Sequence, residues 1–184
     1  MKKILAIVVF GIALAGLYAF VSPASTDTAV SAEPMKWYTW EEATALNKTN
    51  PKKIIVDVFT DWCGWCKKMD KATFQDPKVS AYLAANFYPV KLNAEQKADI
   101  IFNGETFKYV ETGKGQGIHT LAYSLLDGKM GYPTVVYLNE KYERIMISPG
   151  YKEPKDMMTE LKFAVDEAYN NSSWEAYKAK ADKQ

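Results

Sequence analysis

Residues 53–60 read Lys-Ile-Ile-Val-Asp-Val-Phe-Thr and lead, through Asp61 and Trp62, into Cys63-Gly64-Trp65-Cys66. A continuous β-branched apolar run of this length has the pattern of a strand buried on both faces of a sheet. Residues 67–72 then have helix-forming composition. A buried strand, a cysteine pair and a helix, in that order, constrain the fold more than any other stretch of the chain.

The flanking elements extend this core. Asp76-Pro77 is a helix start, with Asp as cap and Pro in the first turn, and Val79, Tyr82, Leu83 and Phe87 supply an apolar side. Residues 88–92 read as a second strand, which makes a parallel, right-handed βαβ unit. Upstream, Thr39-Trp40-Glu41-Glu42 has capping-box spacing and predicts a helix over 40–47, ended by Asn50-Pro51. Downstream, strands at 134–138 and 144–148 flank the turn Asn139-Glu140-Lys141 and form an antiparallel hairpin. A last strong helix starts near Pro154, with Met157, Leu161, Val165 and Ala168 facing the sheet, and 173–183 adds a short charged helix or a tail. Residues 94–131 hold Gly104, Gly113, Gly115, Gly117, Gly128 and Gly131 without G-x-G-x-x-G spacing. They are expected to form an irregular insertion around Lys114 and then a short helix over about 118–126.

The N-terminus has a different character. Lys2 and Lys3 precede an uncharged apolar run over 4–21, followed by Ser22-Pro23-Ala24. This is the pattern of an export signal, either cleaved after Ala24 or Ala32 or retained as an anchor, since the run approaches the roughly 20 residues that span a bilayer. No cysteine follows it, so a lipid anchor is not supported. The expected organisation is a leader or anchor at 1–24, a flexible linker at 25–36 and one domain at 37–184, lying outside the cytoplasm in the periplasm or cell envelope. The net charge of +1 and 24% charged residues give no reason to expect nucleic acid as a partner.

Export bears on the two cysteines, because disulfides form and are used outside the cytoplasm. A disulfide across two residues closes too small a loop to be a useful staple. A metal site is not expected: zinc normally takes four ligands, and His119 is the only histidine. That residue is expected at the surface or as a helix cap, with no catalytic part. Redox chemistry fits the pair better. At the first turn of a helix, unpaired amide hydrogens favour the Cys63 thiolate, and Cys66 lies one turn on. Cys63 would attack a substrate disulfide from an exposed position, and the more shielded Cys66 would resolve the mixed disulfide; the reverse sequence would donate one. Asp57 sits within the apolar strand, where an ionised carboxylate is costly and its pKa should rise. It is the candidate acid–base group for Cys66, with Lys91 on the next strand as the group that tunes it.

The stretch from Ile55 to Lys67 resembles the thioredoxin active-site segment almost position by position. Val90-Lys91-Leu92-Asn93 resembles the family's strand bearing a lysine near the buried aspartate, and Tyr132-Pro133-Thr134 its cis-proline loop. The resemblance spans about residues 37–170. It implies a thioredoxin-like α/β fold: a central mixed β-sheet flanked by helices, here with an insertion before the cis-proline loop. It also implies that Asp57 is the buried acid, Cys63 the nucleophile and Cys66 the resolving thiol. Pro133 would exclude metals from the thiols and expose the backbone of Tyr132 to an extended substrate. Trp62, Gly64, Trp65 and Tyr132 would complete the substrate surface, the three aromatics forming an apolar rim.

Gly64-Trp65 stands where thioredoxin has Gly-Pro, which leaves the reduction potential open. The segment Thr73-Phe74-Gln75-Asp76-Pro77-Lys78-Val79 is similar to one in the periplasmic C-terminal domain of the transmembrane thiol:disulfide interchange reductase, and favours reduction. The reading is a monomeric disulfide reductase or electron carrier with no cofactor beyond its own disulfide. Its partners would be protein thiols and disulfides and an upstream dithiol donor or acceptor, in the membrane or free of it. An oxidase or isomerase, and a binding module without turnover, are the alternatives.

Overall fold

The structure, a computed structural model, describes residues 35–113 and 115–183. The expected leader and most of the linker therefore lie outside the described residues, and Met35, at the linker's end, already packs against the core. The first half runs α1 (Trp40–Thr49), β1 (Lys53–Phe59), α2 (Gly64–Met69), a π-helical turn (Asp70–Phe74), α3 (Pro77–Asn86) and β2 (Phe87–Asn93). Then come β3 (Ile100–Phe102), β4 (Glu105–Phe107), β5 (Tyr109–Gly113), β6 (Gln116–His119) and α4 (Thr120–Leu125). The chain closes with β7 (Thr134–Leu138), β8 (Arg144–Pro149), α5 (Pro154–Val165), a 3₁₀ turn (Ala168–Asn170) and α6 (Trp174–Ala181). Among the described residues, no helix is long and apolar enough to cross a membrane.

Local chemistry sets the helix starts as the sequence predicts. Thr39 and Glu42 form both bonds of a capping box on α1, and Asp76 caps α3 ahead of Pro77 by accepting from the Lys78 and Val79 amides. The main sheet has the order β2-β1-β7-β8. β1 pairs with β2 in parallel and with β7 antiparallel, and β7–β8 is an antiparallel hairpin. The sheet is thus mixed and flanked by helices, a thioredoxin-like fold.

Because side chains alternate along a strand, β1 feeds two cores. Ile54, Val56 and Val58 pack with Trp40, Ala43, Leu121 and Leu125 from α1 and α4. Ile55 faces the other way, with Met69, Phe74, Leu83, Met157 and Leu161 from α2, the π-helical turn, α3 and α5. Each fully buried leucine or isoleucine of these clusters contributes about 1.5–3 kcal/mol relative to exposure. Asp57 shares the face of Ile55, so a carboxylate enters the second core directly.

Three expectations are corrected. The insertion at 94–131 is not irregular: β3–β4 and β5–β6 are antiparallel hairpins. Asn103 and Gly104 both adopt positive φ (52° and 81°), the backbone that an Asn-Gly hairpin turn requires. Phe102 then anchors the first hairpin between Trp40 and Tyr142, edge-on to both rings. Secondly, Ile118 and His119 belong to β6, and α4 begins only at Thr120. His119 is capping, as expected, since its Nδ1 accepts from the Leu121 amide at 3.3 Å, but it is fully buried rather than at the surface. Thirdly, α5 ends before Ala168, because Glu167 takes a left-handed conformation (φ 52°). Ala164 fills the buried position in its place, and Val165 is only half-buried. Residues 174–181 do form a helix, held by Trp174 and Tyr177 against Phe163 at 5.4 and 5.1 Å.

Candidate active site

Cys63 follows β1 by four residues and is the N-cap of α2. Its backbone is extended (φ −72°, ψ 103°), and its Sγ accepts from the Cys66 amide at 3.0 Å. The sulfur therefore takes the place of the oxygen that usually caps a helix, next to the free amides of the first turn. Cys63 and Cys66 are joined as a disulfide with their Cα atoms 5.3 Å apart. The expected contrast in exposure is weak: Cys63 is 5% exposed and Cys66 2%. What separates them is position at the cap rather than solvent access. Gly64 has open space where a side chain would stand.

Asp57 is fully buried. Its neighbours in register are Lys91 on β2 and Val135 on β7. Lys91 Nζ donates to Oδ2 at 2.6 Å, while Oδ1 has no hydrogen-bond partner. Burial pushes the Asp57 carboxyl up to about 6; the Lys91 ammonium opposes that rise and the Asp70 carboxylate adds to it. Lys91 also pairs with Asp70, which caps the C-terminal end of α2. One ammonium thus joins β2 to an acid on β1 and to another at the end of the cysteine-bearing helix. Its charge lies against the rings of Trp37 and Phe59, 4.7 and 4.9 Å from their centroids. Sequence reasoning missed Asp70. The available signal was its spacing: it stands four residues after Cys66, on the same helix side.

The aromatic rim divides into two parts. Trp62 is 67% exposed and meets Tyr132 edge-on, with ring centroids 5.9 Å apart. Trp65, 58% exposed, instead leans on Tyr151 at 5.5 Å, with the Lys68 ammonium over both rings. The Tyr132–Pro133 bond is cis. The indole N–H of Trp62 donates to both oxygens of Glu95, at 3.0 and 3.1 Å. Burial, with the Glu95 carboxylate adding to it, holds the Tyr132 hydroxyl at about 12. Glu95 was also missed, and nothing in its sequence neighbourhood marks it.

His119 bonds elsewhere: its amide donates to the Ala94 carbonyl, and its Nδ1 accepts from the Leu121 amide. Burial lowers the pKa of its imidazole, and its Nε2 has no hydrogen-bond partner. Among the described residues, no group of three or more His, Cys, Asp or Glu side chains is gathered so as to hold a metal ion.

Fold and cysteine pair together define a thioredoxin-fold protein of the disulfide-oxidoreductase type. Residues 27–183 match the family model Thioredox_DsbH, described as "Protein of unknown function, DUF255", and the chain belongs to that family. The solved structure "DsbH Oxidoreductase" superposes with a TM-score of 0.53 at 17% identity, over 75% of this chain and 89% of that one. "Spermatogenesis-associated protein 20" of Homo sapiens is 25% identical over 131 residues, 71% of this chain and 15% of the human protein. "Thiol:disulfide interchange protein DsbD" of Vibrio vulnificus (strain CMCP6) is 42% identical over 43 residues, 23% of this chain and 7% of that protein. The chain therefore corresponds to a small part of the length of these curated relatives.

Proposed function

We propose that the chain is an exported thiol–disulfide oxidoreductase that reduces protein disulfides, or relays electrons to them, through Cys63 and Cys66. The observation that carries this reading is a disulfide at the N-terminus of α2, on a fold whose central strand buries an acid with a pKa of about 6.

In the reduced protein the Cys63 thiolate, favoured by the amides of the first turn, attacks one sulfur of a substrate R–S–S–R′. The substrate bond breaks, a Cys63–S–S–R bond forms, and R′–S⁻ leaves and takes a proton from water. Cys66 then loses its proton to the Asp57 carboxylate, and its thiolate attacks Cys63 Sγ. The Cys63–Cys66 disulfide forms and R–S⁻ is released and protonated. Two electrons have passed from the dithiol to the substrate, together with the Cys66 proton relayed through Asp57 to R–S⁻ and one taken from water in place of the proton Cys63 had already lost. An external dithiol, free or membrane-bound, returns them by the same steps reversed. An acid with a pKa of about 6 is suited to accepting and returning a proton near neutrality.

Lys91 tunes Asp57. Trp62, Gly64, Trp65, Tyr132 and Pro133 contact the substrate, and no cofactor is needed beyond the disulfide. The working form is a monomer. The Lys2-Lys3 start and the apolar run over 4–21 support action in the periplasm or cell envelope. The resemblance of residues 73–79 to a segment of the periplasmic interchange reductase favours reduction over oxidation, and the match to an interchange protein supports thiol–disulfide exchange as such.

Insulin reduction with an added dithiol, together with the equilibrium potential of the Cys63–Cys66 couple, tests this reading. Turnover with a potential near roughly −270 mV is expected for a reductant, whereas a value near −120 mV would assign the protein to oxidation. Absence of exchange with any dithiol would leave a binding module.

A further inference from the structure

The hairpin β5–β6 stands opposite Trp62 and Tyr132 and closes one side of a cleft of about 340 Å³. Its apolar lining is Trp62, Ile118, Tyr123, Met130 and Tyr132, and among the described residues Glu95 is the one charged side chain in it. The Glu95 carboxylate holds the Trp62 indole and makes no ion pair among the described residues. An adjoining recess shares Trp62, Glu95, Gln116 and Gly117 and adds Lys97, whose ammonium rests on the Tyr109 ring 3.1 Å from its centroid.

Aromatic and aliphatic walls around a single carboxylate suit one kind of side chain. A lysine or arginine lays its methylene stem along the rings and brings its charge to the acid. An acidic side chain would meet Glu95 with like charge. A wholly apolar one would fill the walls but leave the carboxylate only the indole and water. Trp62 directly precedes Cys63 and Tyr132 directly precedes Pro133. A side chain held between them therefore belongs to a residue beside the substrate's reacting cysteine.

The geometry points to a specificity subsite, walled by the β5–β6 hairpin and charged by Glu95, for a basic residue flanking the reacting cysteine of a protein partner. It rests on the exchange reading above and names the substrate class of that site. Lys97 is the opposing charge: were it dominant, acidic partners would be preferred instead.

The test uses the full chain, reduced beforehand, and three disulfide-linked peptide dimers that differ only in carrying Arg, Ala or Glu on both sides of the cysteine. Single-turnover rates give an Arg-to-Glu ratio within each protein variant, which is independent of any overall change in activity. The ratio is expected to be on the order of fivefold or more in the parent chain, as for partly exposed charge pairs. It should fall toward one in Glu95→Gln, which keeps an acceptor for the Trp62 indole but removes the charge. It should also fall as salt rises from about 0.01 to 0.5 M; this arm stands without the variant, should Glu95→Gln not fold. A ratio near or below one in the parent chain, or one that neither salt nor Glu95→Gln alters, overturns the subsite while leaving exchange intact. If none of the three peptides is reduced, the exchange reading itself fails and the subsite with it.

Discussion

Lys91 and Asp57 stand directly opposite each other across the parallel β1–β2 pair, and the ammonium meets the buried carboxylate at 2.6 Å. The contact does not restore an ordinary acid, because desolvation outweighs it and the Asp57 carboxyl stays at about 6. Lys91 also serves Asp70, so its charge is divided between two carboxylates.

Asp57→Asn should slow resolution by Cys66 more than attack by Cys63, as read by stopped-flow rates of the two steps. In the parent chain the resolution rate should rise with pH through about 6, as the carboxylate becomes able to accept a proton, and the variant should lose that inflection. Equal, unchanged rates for both steps would remove Asp57 from proton transfer.

The same residue links stability to pH. Its pKa is raised on folding, so the folded state holds the proton more tightly than the unfolded chain does. That contribution is present in full below about pH 4 and is lost as pH climbs through about 6. At pH 7 the ionised, buried acid destabilises the fold by on the order of 2–3 kcal/mol. Asp57→Asn should therefore raise Tm at pH 7 and change it far less at pH 4. Calorimetry at the two values checks the sign.

Asp70→Asn should move the pH inflection of the resolution step downward. The Asp70 carboxylate raises the Asp57 carboxyl, and removing it also leaves Lys91 wholly to Asp57. An upward move would show that Asp70 acts by some route other than its charge.

Gly117→Ala should unsettle the insertion. A Cβ at Gly117 would fall on the Tyr109 ring and on the Val110 carbonyl oxygen, closer than real Cβ contacts allow, and the carbonyl belongs to the partner strand. A loss of about 1–3 kcal/mol is expected, as for overpacked sites. Faster amide exchange confined to 109–119 would locate it there, whereas unchanged exchange would show that the hairpin absorbs the methyl.

His119→Ala should lower stability by about 1–2 kcal/mol through the lost cap and the space left behind. Turnover should survive in the folded variant, because the one side-chain hydrogen bond of His119 among the described residues is its cap on the Leu121 amide. Loss of turnover with the fold intact would give the insertion a catalytic part.

The legible and illegible parts of this chain differ for physical reasons. The strand over 53–59, the Thr39 and Asp76 caps and the Asp57–Lys91 pairing follow from local pattern and from strand neighbours in one βαβ unit. The insertion did not read out, because its strands are three to five residues long and their pattern is broken by glycines. The Asn103-Gly104 pair was the available hairpin signal, and Gly104 was instead read as part of an irregular insertion. Asp70 was hidden because its partner is chosen by the packing of α2 against the sheet. Glu95 was hidden because Trp62 lies 33 residues away in the chain. The exposure of Cys63 was misjudged because solvent access is set by how the surrounding elements pack, whereas its place at the helix cap is local and did read out.

The division of labour between the two cysteines is the centre of the account, and trapping tests it most directly. Cys66→Ser keeps the attacking thiol at the helix cap and removes the group that releases the substrate. Expressed in its own cell, that variant should accumulate mixed disulfides through Cys63, seen as bands that shift on non-reducing gels and collapse on reduction. Cys63→Ser should trap far fewer. Equal trapping by both variants, or trapping by neither, would contradict the assignment of Cys63 as attacker and Cys66 as resolver.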